Sequence, residues 1–185
     1  MMVIIAFDAS TTGAGAAVWT AAAGSAPAAV VDSRPDEYFS CQWTAADERR
    51  LSAKRGDPAS QARWEALALL LALSTWRARV LDEALPVHFV GDALGVLHGR
   101  TSLRARDPGV NAIAMEMALL LAPGGLELAA THLWSDQNSM TDALSRLGEG
   151  ALLPVILDDV PCAAVRRPAW RILGRLRVRP PARRK

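Results

Sequence analysis

Cysteine is nearly missing from this chain of 185 residues: Cys41 and Cys162 stand alone, 121 positions apart. Two thiols so separated make neither a disulfide framework nor a zinc-ligand spacing, so a reducing compartment is the expected setting. Long hydrophobic runs are lacking too. The longest, Ala66–Leu73, has eight residues, far short of the roughly 18 that a membrane span needs. The N-terminus carries no basic leader, and Asp8 interrupts its apolar segment, which argues against a signal peptide. Intracellular placement, cytoplasmic or nuclear, is the expectation. No internal repeat is visible.

Acid is what the C-terminus lacks. Residues 166–185 hold eight Arg and one Lys with no Asp or Glu, which leaves twelve bases against all 19 acids in residues 1–165. The overall +2 therefore hides a globular part near −7 and a basic tail. Such a tail contacts polyanions or keeps a chain solvated. With Pro154, Pro161, Pro168, Pro180 and Pro181 spaced through it, it reads as a mobile linker to another domain. The expected division is one domain over 1–148 and a Pro/Arg-rich linker or tail over 149–185.

What is present begins with Val3–Phe7, an apolar, β-branched run that breaks at Asp8 into Ala-Ser-Thr-Thr-Gly, followed by a second apolar run, Ala14–Trp19. These read as two adjacent strands joined by a tight turn, the first central and buried on both faces. A small-residue loop over 21–29 should follow, then a third strand over Ala29–Ser33 or, better placed by its aromatics, Glu37–Trp43, and a polar loop over 44–57 with room for a helical turn. Pro58 and Ser60 start a helix expected from Ala59 to Val80. Val87–Val90 is a strand ending in Gly91-Asp92, with a short helix over 93–98 and a basic loop carrying Arg100, Arg104 and Arg106. Asp107-Pro108 opens a helix to Leu121, closed by Pro123-Gly124-Gly125. A strand over 126–131, a loop over 132–137 and a helix over 138–147 complete the domain. Hairpins followed by alternating strands and helices imply an α/β fold, a mixed five-stranded sheet with helices on its faces.

Four carboxylates carry the chemistry. Asp8 and Asp92 end strands, where α/β sheets gather functional groups, although each also suits a turn or an N-cap. Glu65 is the single polar side chain in the ten residues Trp64–Leu73, and burying it uncompensated costs several kcal/mol. Asp142 sits where a helix dipole favours an acid in any case. Gathered at one sheet edge, the four would repel one another unless divalent cations were present. Carboxylate oxygens select hard ions, here Mg²⁺ with Mn²⁺ as the substitute, and two such ions suit phosphodiester hydrolysis.

Three segments resemble ribonuclease H type 1 domains of the kind fused to retroelement reverse transcriptases. Ile4-Ile-Ala-Phe-Asp8-Ala-Ser with the following Gly-Ala-Gly looks like the first catalytic strand and hairpin. Ser60-Gln-Ala-Arg-Trp-Glu65-Ala-Leu-Ala-Leu is similar to the helix that presents the catalytic Glu. His132-Leu-Trp-Ser-Asp-Gln-Asn138-Ser-Met-Thr-Asp142-Ala-Leu-Ser-Arg146 looks like the closing signature. The resemblance implies a metal-dependent endonuclease that cuts the RNA strand of an RNA–DNA hybrid. Asp8, Glu65, Asp92 and Asp142 would be its metal ligands, with Asp8 bridging two Mg²⁺ ions, and His132 would assist proton transfer or product release. Thr11, Thr12, Asn138 and Arg146 are the expected substrate contacts, those of Thr11, Thr12 and Gly13 through backbone N–H groups. A fused or associated reverse transcriptase domain is the expected partner. Departures from the family pattern are Ala93 where Asn is common, Leu-Trp-Ser after His132 where a Pro-Gly turn is common, and Thr141 in place of Ala.

These departures keep open a catalytically weak or inactive nucleic-acid-binding module on the same fold. Two further readings remain: an actin-like or sugar-kinase ATPase fragment with Asp8–Gly15 as its phosphate loop, which differs in chemistry, and a resolvase-type junction nuclease, which shares the metal chemistry and differs in substrate. His88 and His98 are expected as structural or surface residues, and Trp43 and Trp64 as core.

Overall fold

The structure is a computed structural model that describes residues 1–81, 85–92, 107–124, 128–134 and 137–171. The helix expected over 93–98, the arginines of the 100–106 loop and His98 lie outside these residues.

Five strands form one sheet: β1 (Met2–Ala9), β2 (Gly13–Ala21), β3 (Glu37–Gln42), β4 (Val87–Gly91) and β5 (Leu128–His132). Their spatial order is β3-β2-β1-β4-β5. β2 runs antiparallel to β1 and β3, while β4 runs parallel to β1 and β5. The mixed sheet of the sequence reading is thus present, with β1 at its centre and buried along its whole length.

Alternation along β1 feeds two cores. Val3, Ile5, Phe7 and Ala9 join one with α3 (Gln61–Thr75) and α5 (Pro108–Leu121). Met2, Ile4 and Ala6 join the other with Leu144 of α6 (Ser139–Ser145) and with Leu157 and Val160. Every residue of α3 from Ala66 to Ser74 is buried. A helix apolar all round must be covered all round, and here β1, β2 and α5 pack against it.

Several local expectations are corrected. The 21–29 loop ends in a short helix, α1 (Pro27–Val31), in place of the alternative third strand over 29–33, and the helical turn allowed in the polar 44–57 stretch is a full short helix, α2 (Ala45–Leu51). A capping box explains α2: the Thr44 hydroxyl accepts from the Asp47 N–H at 3.2 Å, and the Asp47 carboxylate accepts from the Thr44 N–H at 2.8 Å. The long helix expected from Ala59 to Val80 is a 3₁₀ turn over Pro58–Ser60, then α3, then α4 (Arg77–Leu81) after a break at Trp76. Asp107 caps α5 as expected, accepting from the Gly109 and Val110 N–H groups, and it pairs with Arg63 at 2.8 Å.

The linker expectation also fails as far as Arg171. Tyr38 of β3 donates its N–H to Pro161 and accepts at its carbonyl from Ala163, so residues 161–163 lie along the outer edge of β3. Arg167 pairs with both carboxylate oxygens of the buried Asp47, and Trp170 enters the core beneath Arg50. Three apolar anchors and a buried ion pair were hidden by the prolines around them. No helix among the described residues is long and apolar enough to cross a membrane.

Candidate active site

Strand register sets the first two carboxylates. Ala6 of β1 lies opposite Val90 of β4 in the parallel pairing. Two further residues along each strand bring Asp8 beside Asp92 on one face. The next pairing, Gly91 with His132, brings the expected loop histidine to the same edge, one strand further out. Leu133 donates its N–H to the Gly91 carbonyl at 3.0 Å, which holds the end of β5 against Asp92.

Helices supply the other two acids. Glu65 lies one turn into α3, and Asp142 lies in α6. α6 sits very close to the hairpin because Gly15 lets it: a Cβ at Gly15 would stand 2.3 Å from Leu144 Cβ and 2.6 Å from the Ser145 nitrogen. That approach carries Ser145, itself buried, to Asp8, where its hydroxyl donates to Oδ2 at 2.8 Å. On the other side of the sheet Gln61 donates from Nε2 to the Ala9 carbonyl at 2.5 Å and hydrogen-bonds Glu65 one turn later.

The acids feel one another's charge. Asp8 is 8% exposed. Burial lifts its carboxyl from the usual 3.8 to about 6; the Ser145 hydrogen bond opposes the rise, and the charges of Asp92 and Asp142 add to it. Burial lifts Glu65 to about 7, opposed by Gln61 and reinforced by the charges of Asp92 and Asp8. Asp8 thus feels Asp92 and Asp142, and its own charge is felt by Glu65. Their closeness stops short of a finished metal site: among the described residues, no group of three or more His, Cys, Asp or Glu side chains is gathered so that it could hold an ion. Asp142 is paired within its own helix end. Its Oδ1 accepts from Arg146 Nε at 2.7 Å, one turn on in the chain, and Arg146 also reaches towards Glu149 at 3.8 Å.

The expected substrate contacts are engaged within the protein. The N–H groups of Thr12 and Gly13 both donate to the Ser10 hydroxyl, at 3.2 and 3.0 Å, so neither amide of the turn is open to a phosphate. The Thr12 hydroxyl is bound to Glu149, and the Thr11 carbonyl accepts from Gly56. Asn138 is buried; its Nδ2 donates to the Phe7 carbonyl at 3.4 Å and its Oδ1 accepts from Thr141 at 2.6 Å. It braces the last loop on β1 beside Asp8. Arg146, about half exposed, is the one expected contact whose side chain reaches the surface as a cation. Trp43 and Trp64 stack in the core with centroids 4.8 Å apart, and His88 Nε2 meets Thr131 Oγ1 at 2.7 Å across β4 and β5. Sequence reasoning passed over Gln61, Ser10 and Glu149. Gln61 was visible only as a polar residue one helical turn before Glu65.

No protein-family model matches the chain, and no curated protein matches it in sequence. Solved structures do. The ribonuclease H1 of the halophilic archaeon Halobacterium salinarum matches with a TM-score of 0.56 at 18% identity, over 82% of this chain and 100% of that one. The N-terminal ribonuclease H domain of rv2228c from Mycobacterium tuberculosis matches at 0.57 and 14% identity, over 81% and 94%. A compost-derived ribonuclease H1, LC11, in complex with an RNA/DNA hybrid matches at 0.51 and 14% identity, over 77% and 92%. The sheet order, its mixed pairing and the helices on both faces are those of the ribonuclease H-like fold.

Proposed function

We propose that this chain is a metal-dependent endonuclease that hydrolyses the RNA strand of RNA–DNA hybrids, acting as the ribonuclease H part of a reverse transcriptase. The observation that carries the reading is the register that sets Asp8 beside Asp92, with Glu65 and Asp142 brought close enough for their charges to be felt. The donor set is all carboxylate, which fits a hard divalent ion, and burial together with the neighbouring acids raises Asp8 and Glu65. The fold's likeness to a ribonuclease H1 captured with an RNA/DNA hybrid supports the substrate class. The retroelement-type closing signature, His132 to Arg146, supports the reverse transcriptase setting.

Asp8, Glu65, Asp92 and Asp142 would hold Mg²⁺, Asp142 after leaving Arg146. The bound ions would acidify an attacking water and stabilise the leaving 3′-oxygen. Ser145 and Gln61 keep the Asp8 and Glu65 carboxylates oriented through their hydrogen bonds. His132, at the rim beside Asp92, would move a proton or ease product departure. Arg146 would then be free to meet a phosphate. The products expected are 5′-phosphate and 3′-hydroxyl ends.

An end-labelled hybrid incubated with Mg²⁺, beside RNA–RNA and DNA–DNA duplexes, tests the reading. Cleavage of the hybrid RNA alone is expected, with loss of at least a hundredfold in rate in Asp92→Asn. Wild-type speed in that variant would overturn the metal-site assignment. A second reading, a binding module on the same fold without turnover, is favoured by the hold of Arg146 on Asp142. Hybrid binding with no cleavage in Mg²⁺ or Mn²⁺ would select it.

A further inference from the structure

Five of the six tryptophans, Trp19, Trp43, Trp64, Trp76 and Trp170, are at most 8% exposed, whereas Trp134 is 70% exposed. An indole is the largest apolar surface a side chain can leave in water, and this one is not left loose. The Trp134 carbonyl accepts from the N–H groups of Gln137 at 2.9 Å and Asn138 at 3.2 Å. Asn138 is the buried residue that reaches the Phe7 carbonyl next to Asp8. The Trp134 ring stands edge-to-face with His132, with centroids 5.0 Å apart at 83°. Backbone and ring are therefore both fixed relative to the carboxylate edge, two residues beyond the Gly91–His132 pairing.

A rigid exposed aromatic loses little conformational entropy on contact, and base–aromatic stacking tolerates any sequence because every base has a π-face. Bases inside a duplex already stack on each other, so a platform at the edge of the site serves a base outside that stack. We infer that Trp134 is a stacking platform for an unpaired base of the bound nucleic acid, next to the carboxylate site. The inference rests on the hybrid-nuclease reading above. It adds attraction that owes nothing to charge, at a face where acids would otherwise repel a polyanion.

Exposure confined to one tryptophan supplies the test. In Asp92→Asn with Mg²⁺, binding is followed by anisotropy of a labelled hybrid carrying a single-stranded RNA extension, and acrylamide quenching of tryptophan fluorescence is read in the same samples. Saturating hybrid is expected to shield the quenchable fluorescence. Trp134→Ala should weaken binding of the extended hybrid about tenfold, Trp134→Phe should retain most of it, and the melting temperature of both should match the parent. The dependence of affinity on salt should keep its slope, because no phosphate contact is lost. Quenching unchanged by bound hybrid, or equal affinity in Trp134→Ala, overturns the platform while binding itself upholds the hybrid reading. Equal loss on a blunt hybrid overturns the unpaired-base assignment. Failure of the parent to bind any hybrid removes both.

Discussion

Replacing Asp8 by Asn should stabilise the metal-free protein, and by an amount that grows with pH. Asp8 is 8% exposed, with its carboxyl raised from 3.8 to about 6. Because the folded state holds the proton more tightly than the unfolded chain, raising the pH through this interval favours unfolding. Below about pH 4 the group is neutral in both states and contributes no penalty. Above about pH 6 the full penalty applies, and two units at about 1.4 kcal/mol each give about 3 kcal/mol. Asn has the same shape, keeps an oxygen to accept from Ser145 and carries no charge, so it escapes the penalty. For a chain of this size about 3 kcal/mol corresponds to a rise of about 6–12 °C in Tm. Glu65, lifted to about 7 in part by the charge of Asp8, is relieved of that repulsion in D8N, which adds to the gain at high pH. The assay is thermal unfolding of wild type and D8N in EDTA from pH 4 to pH 8, repeated with Mg²⁺. The two curves should lie close together near pH 4, part as the pH rises to between 6 and 7, and keep a nearly constant separation from there to pH 8. Magnesium should raise the wild type by about 3 kcal/mol at a hundred times its Kd and leave D8N nearly unmoved. Equal Tm values at pH 8 in EDTA would refute the account of Asp8 as a buried, destabilising charge.

Three other perturbations have definite outcomes. Gly15→Ala drives a Cβ into Leu144 and the Ser145 nitrogen, so urea unfolding should show a loss of about 3 kcal/mol, since strand and helix must part to admit it; a change under 1 kcal/mol would mean that α6 is loosely seated. Arg146→Ala releases Asp142 and should tighten Mg²⁺ binding several-fold in calorimetry while changing stability by less than about 1 kcal/mol, as expected for an exposed i,i+4 pair; weaker Mg²⁺ binding would show Arg146 to be a support and not a competitor. Arg167→Ala leaves the buried Asp47 carboxylate with Thr44 as its remaining named partner, and denaturant unfolding should register a loss of about 2 to 3 kcal/mol, below the full cost of an orphaned buried charge; an unchanged midpoint would place residues 161–171 outside the cooperative unit.

The sheet was legible because its strands are short apolar runs cut off by Gly, Pro or Asp, and period and punctuation agreed at β1, β2, β4 and β5. Glu65 was legible through contrast, as one charge on a helix with no polar face. Residues whose role depends on distant partners were harder to see. The Thr44–Asp47 box was present in the sequence, but Asp47 is buried only because Arg167 returns to it 120 positions later. Residues 151–171 read as linker because proline and arginine dominate their composition, whereas packing depends on Leu157, Val160 and Trp170. The turn at Thr12 and Gly13 looked open to phosphate, yet the Ser10 hydroxyl fills it. Composition reports what a segment can tolerate, and such partnerships need coordinates.

The parallel pairing of β1 with β4 turns the spacing between neighbouring strands, about 4.8 Å, into the ruler of this site. Asp8 and Asp92, two residues beyond the pairing of Ala6 with Val90, keep their places relative to each other as long as both strands keep their length. One residue inserted or deleted before either acid swings it to the opposite face of the sheet, and no side-chain adjustment recovers the geometry. The loops beyond the strand ends are off the ruler. Ala93 after Asp92, and Leu-Trp-Ser after His132, can therefore drift, or acquire a new contact such as Trp134, without moving the two carboxylates. A site measured out by backbone register leaves its rim open to change while its centre stays fixed.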